Sequence, residues 1–61
     1  MNLTDWFDEK CRLIDELIAA GKLDRYPREA EVVPHLINVF GCTSREATET
    51  VREWERRHGI R

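Results

Sequence analysis

The sequence predicts a small all-α domain, a bundle of three main helices. Three observations lead there. Apolar residues recur at three- and four-residue spacing in the first third and the last third of the chain. Such spacing places them on one face of a helix. Stop and start signals then punctuate the chain: Gly21, Gly41 and Gly59 follow periodic stretches, and Pro27, Pro34, Thr43 and Ser44 stand where new helices would open. Finally, 61 residues suffice for one domain at most, residues 1–61 being read as a single unit.

The first helix opens at Thr4, a plausible N-cap, with Asp5 at the positive helix end. Leu3, Phe7, Cys11, Ile14, Leu17 and Ile18 form its apolar stripe, and Trp6 and Leu13 widen it on one flank. A three-helix core can use so broad a face. A homodimer seam through Trp6 and Leu13 is the alternative. Asp5, Asp8, Glu9, Arg12 and Glu16 make the opposite, solvated face, and Gly21 ends the helix.

Lys22 to Val33 is ambiguous. Tyr26 and Val33 each precede a proline, which biases them towards extended backbone. Asp24 or Tyr26 can lead into a short helical turn through Arg28, Glu29 and Ala30. Pro34 suits the first position of a helix, where no amide donor is missed. The second helix is therefore expected from near Pro34 to Phe40. A single helix from Pro27 to Phe40, kinked at Pro34, is the alternative. His35, at the expected helix start, and His58 both stand without a nearby nucleophile or second ligand in sequence.

The segment from Leu36 to Trp54 reads as an apolar helix end, a stop at Gly41, a hydroxyl cap and a further helix, the outline of a helix-turn-helix. If Thr43 is the cap, Glu46 has the capping-box spacing. The third helix runs from about Ser44 to His58, ended by Gly59. Ala47, Val51 and Trp54 fall on its core face. Arg45, Glu49, Arg52 and Arg56 project oppositely, with Thr48 at their edge.

An arginine-bearing helix fits the DNA major groove. Arginine can pair bidentately with guanine, and threonine can meet phosphate or a thymine methyl. Ser44, Arg45, Thr48, Arg52 and Arg56 are the candidate DNA-facing residues. The competing reading is a plain solvated surface, because Glu49 lies within helical reach of Arg45 and Arg52, and Glu53 within reach of Arg56 and Arg57.

Charge constrains both readings. The net charge is −2, from 10 Lys+Arg against 12 Asp+Glu, which is not the basic balance usual in nucleic-acid binders. The charge is polarised, however. Residues 1–20 hold two basic side chains against five acidic ones, and residues 43–61 five arginines against four glutamates. Cys11 and Cys42 are too few and too far apart for a zinc motif or a disulfide framework, and read as small buried hydrophobes. No membrane-length apolar run and no secretory signal are visible, so a cytoplasmic protein is expected. Without paired catalytic groups, a phosphate-cradling loop or a ligand cluster, the sequence calls for no enzyme activity, no metal and no cofactor.

The stretch from Thr43 to Ile60, with its Ser44-Arg45 pair, apolar helix and Gly59-Ile60 ending, resembles the recognition-helix segment of GntR-like winged-helix regulators. With Leu36 to Cys42, the resemblance covers under half of the chain. It implies duplex DNA as partner, with Ser44, Arg45, Thr48 and Arg52 facing it. Two departures stand out. Ending at Arg61 leaves no room for a β-hairpin wing. Thr50 occupies a position usually apolar in that family, Val51 taking the role one place later. The turn from Gly41 through Thr43-Ser44-Arg45-Glu46-Ala47 also resembles ubiquitin-associated-like three-helix domains, which bind proteins. The expectation is thus a small DNA-binding regulator that pairs with itself. The alternative is a protein-interaction module or small inhibitor acting through the acidic first helix or the apolar flank at Trp6 and Leu13.

Overall fold

The computed structural model describes residues 3–60, with side chains from Asp5 onward. It consists of α1 (Leu3–Ala19), α2 (Glu29–Phe40) and α3 (Ser44–Arg57). All three pack against one another, with no strand among the described residues. The expected all-α three-helix bundle is the architecture observed.

α1 begins at Leu3, so Thr4 lies inside its first turn rather than ahead of it. What the Thr4 hydroxyl does lies outside the described residues. The helix closes with paired end bonds, from the Gly21 amide to the Ile18 carbonyl (3.1 Å) and from the Lys22 amide to the Leu17 carbonyl (2.9 Å). This is the Schellman pattern, which satisfies carbonyls that the helix itself cannot. The chain then runs through residues 20–28 and contributes Leu23 to the core, with Pro27 also buried.

α2 corrects the expected start near Pro34 and lies nearer the alternative of one helix running through Pro34 to Phe40. It starts at Glu29, five residues ahead of Pro34, which is its sixth residue. The local preference of Pro34 for a helix start is overridden by burial. Val32 (1% exposed) and Leu36 (0%) stand four residues apart and reach the core together only if the helix spans Pro34. Arg28, extended at φ −78° and ψ 150°, precedes the helix without a side-chain cap. His35 consequently sits in mid-helix, half-buried.

The corner between α2 and α3 follows its sequence closely. Gly41 takes φ +66°, a left-handed conformation that costs any residue with a Cβ, and its amide closes on the Ile37 carbonyl at 2.9 Å. Thr43 caps α3. Its Oγ1 accepts from the Glu46 amide (3.1 Å), while Glu46 Oε1 accepts from the Thr43 amide (2.8 Å), completing the capping box. Cys42, between stop and cap, is half-buried against the core.

The core collects Cys11 and Ile14 from α1, Leu23 from the segment after it, Val32 and Leu36 from α2, and Ala47, Val51 and Trp54 from α3. Thr50 joins them at 0% exposure. It was read from sequence as a displaced apolar position, yet it lies beside Val51 inside. Its hydroxyl donates to the Glu46 carbonyl at 2.9 Å, so the polar group is satisfied within its own helix and only the methyl need face the core. Burial pushes the Cys11 thiol up to about 11, leaving an inert, protonated group. Both cysteines are free.

Candidate nucleic-acid interface

α3 presents two opposed faces. Ala47, Thr50, Val51 and Trp54 are buried on one. Arg45, Arg52 and Arg56 are seven and four residues apart, so they align within about 20° of a single line on the other, spanning about 16 Å of helix axis. All three are exposed, and the Arg45 side chain is 89% open. Ser44 is exposed at the helix start, and Thr48 is half-buried on the flank of the arginine line.

The glutamates that could neutralise this line divide unevenly. Glu49 lies 3.7 Å from Arg45 and does not pair with Arg52. Glu53 is held from two sides, by Arg56 Nε at 3.1 Å and Arg57 Nε at 2.8 Å. Arg52 has no ion pair among the described residues. Arg57 turns towards α1, and its Nη1 donates to Asp8 at 2.7 Å. It ties α1 to α3 and does not belong to the outer line. The bonds to Glu53 and Asp8 raise its already high pKa further.

Hydrogen bonds from Arg56, then Arg57, hold the Glu53 carboxyl below the usual carboxylate range. A depressed folded-state pKa contributes stability above the ordinary value of 4.5, lost as pH falls through the folded value. Glu53→Gln is therefore expected to flatten the acid limb of a plot of urea midpoint against pH. An unchanged slope would show that the Glu53 bridges do not couple to folding.

Of the solvated face expected on α1, Asp8 is engaged by Arg57, and Asp15, which that face did not include, is engaged as well. Asp15 Oδ1 accepts from Trp54 Nε1 at 2.8 Å and lies 3.3 Å from His58 Nε2, while the His58 ring packs on Trp54 with centroids 4.5 Å apart. Asp8 and Asp15 thus hold the inner flank of α3, behind its outer arginines. Thirty-nine residues separate Asp15 from Trp54, so no local pattern could have revealed the bond.

Trp6 and Leu13, the expected interface pair, are both half-buried. Leu13 packs against the core. Trp6 meets Phe7 edge-on at 4.9 Å and lies under Lys10, whose Nζ is 4.0 Å from the Trp6 ring centroid and 4.8 Å from that of Phe40. Lys10 is only 7% exposed, its cation lying against two aromatic faces. The large hydrophobic side chains that do stand open are Tyr26 (65%) and Val39 (56%).

A groove runs beside the arginine line. Tyr26, Pro27, Arg28 and Glu29 form one wall, Arg52, Glu55 and Arg56 the other, with Trp54 and Ile60 between. Ile60 reaches this place because Gly59 turns the chain back at φ +69°, its amide closing on the Arg56 carbonyl at 3.3 Å and that of Ile60 on Glu55 at 3.0 Å. Arg52 and Arg56 belong to both the line and the groove. Arg28 was not singled out from sequence, since its proximity to Arg52 is a tertiary fact.

Among the described residues no helix is long and apolar enough to cross a membrane. Comparison with known protein families, curated proteins and solved structures gives no match.

Proposed function

We propose that the chain is a small cytoplasmic DNA-binding regulator that lays the outer face of α3 against duplex DNA, with the α2–α3 corner acting as a helix-turn-helix. The observation that carries this reading is the alignment of Arg45, Arg52 and Arg56 opposite the buried face of α3, with Arg52 free of ion pairs among the described residues. Arg45, near the helix start, reads base edges with Ser44 and Thr48 beside it. Arg52 and Arg56 hold phosphates. The acidic side chains of α1 that would repel DNA support the reading by their position, since Asp8 and Asp15 engage the inner flank of α3. One domain of this size offers few contacts, so two copies pair to read two half-sites, with the Trp6 and Leu13 flank as their seam.

Arg45→Ala combined with Arg52→Ala is expected to weaken duplex binding at least tenfold in a gel shift while leaving the helical circular dichroism unchanged. Affinity of the parent protein for nonspecific duplex should fall steeply with salt, as counterion release requires. Unaltered affinity in the double variant sinks the proposal. Absence of duplex binding by the parent protein at low salt transfers the choice to a protein partner docking on the half-open apolar flank of Trp6 and Leu13.

A further inference from the structure

Tyr26 stands between two depressions. On one side is a cavity of about 370 Å³ bordered by Asp15, Arg25 and His58. On the other is the groove, about 760 Å³, edged by Arg28, Arg52 and Arg56. Trp54 and Ile60 line both. The Arg25 guanidinium lies 5.6 Å from the Tyr26 ring centroid, within cation–π range. Arg25 borders only the first depression. The aromatic ring therefore has a cation towards one side and an open, arginine-edged groove on the other. Its backbone is steadied by the buried Pro27 that follows it.

This is the composition of a stacking platform. Base rings stack on exposed aromatic faces whatever their sequence, and cations beside the groove track the phosphates. Guanidinium forks match phosphate oxygens in geometry as well as in charge. The two carboxylates at the rim, Glu29 and Glu55, disfavour a long run of phosphates there, yet they can accept from the exocyclic amino group of a single base.

We infer that this groove takes one unpaired nucleotide at a duplex–single-strand junction, its phosphate among Arg28, Arg52 and Arg56 and its base against Tyr26. The inference rests on the α3 reading for its placement, because Arg52 and Arg56 are shared, but it stands on Tyr26 and Arg28, which that reading does not use.

The test is fluorescence anisotropy on three probes: a blunt duplex, the same duplex with a short single-stranded tail, and the tail strand alone. The tail is expected to tighten binding roughly tenfold, the scale of one stacked base. Tyr26→Leu and Arg28→Ala should each remove that gain with blunt-duplex affinity unchanged, and Tyr26→Phe should keep it. Both altered side chains are exposed, and circular dichroism verifies folding. A tail without effect, or a gain that survives Tyr26→Leu, overturns the inference. Blunt-duplex binding in that same experiment leaves the α3 reading standing. Tyr26-dependent binding of the tail strand with no blunt-duplex binding supports the groove and sinks the α3 reading. Binding of a poly-glutamate peptide, with none of the three nucleic-acid probes bound, overturns both.

Discussion

Trp54→Ala is expected to lower the unfolding free energy by about 3–5 kcal/mol, the range for removing a buried aromatic side chain. A chain of 61 residues has a total of roughly 3–9 kcal/mol at the usual per-residue scale. The variant should therefore be largely unfolded, or melt without a cooperative transition. The reason is the number of contacts that end at this side chain. Trp54 is 3% exposed, closes the core beside Ile14 and Leu36, donates its indole N–H to Asp15 and carries the His58 ring. Trp54→Phe separates these contributions. It keeps most of the buried ring and loses the bond to Asp15, whose side chain is 53% open and regains water. Its cost should be about 1 kcal/mol, the net worth of an ordinary hydrogen bond. Urea titration followed by circular dichroism measures both. Equal losses in the two variants would mean that the bond to Asp15, rather than the packing, secures α3.

Pro34→Ala is expected to act in the opposite direction. Pro34 is the sixth residue of α2 and exposed, so replacing it removes little packing. It lacks the amide that would donate to the carbonyl of Ala30, four residues back. A proline inside a helix is about 3 kcal/mol less favourable than alanine, and about 0.4–1 kcal/mol of that returns because proline also restricts the unfolded chain. The net gain should be about 2 kcal/mol, or roughly 10 °C in melting temperature for a domain this small. A thermal melt decides the matter. An unchanged or lower melting temperature would show that the packing of α2 depends on Pro34 itself, with Val33 and Ile37 losing their seats against the core.

The two variants mark the boundary between local and distant information. Around Gly41, a left-handed glycine, a capping threonine and the reciprocal glutamate lie within six residues, and each acts on backbone groups beside it. That corner was legible for this reason, as was the inward face of α3, where Ala47, Val51 and Trp54 repeat at helical spacing. The start of α2 was legible only as the alternative, a helix running through Pro34. Pro34 favours a helix beginning at itself by about 3 kcal/mol, yet burying Val32 together with Leu36 outweighs that preference. The burial of Thr50 was not read from sequence, because a hydroxyl looks polar until its partner, a carbonyl one turn back, is known.

The candidate site divides along the same line. Helical periodicity alone set Arg45, Arg52 and Arg56 on one face of α3, because their relation depends only on the 3.6-residue turn. Tertiary packing decided which neighbours those arginines acquired. It turned Arg57 towards Asp8 of α1, brought Asp15 to Trp54 and His58, and carried Tyr26 and Arg28 across to Arg52 and Arg56. Sequence determines what a helix repeats along its own axis, whereas contacts between residues tens of positions apart exist only once the core has chosen how the helices cross.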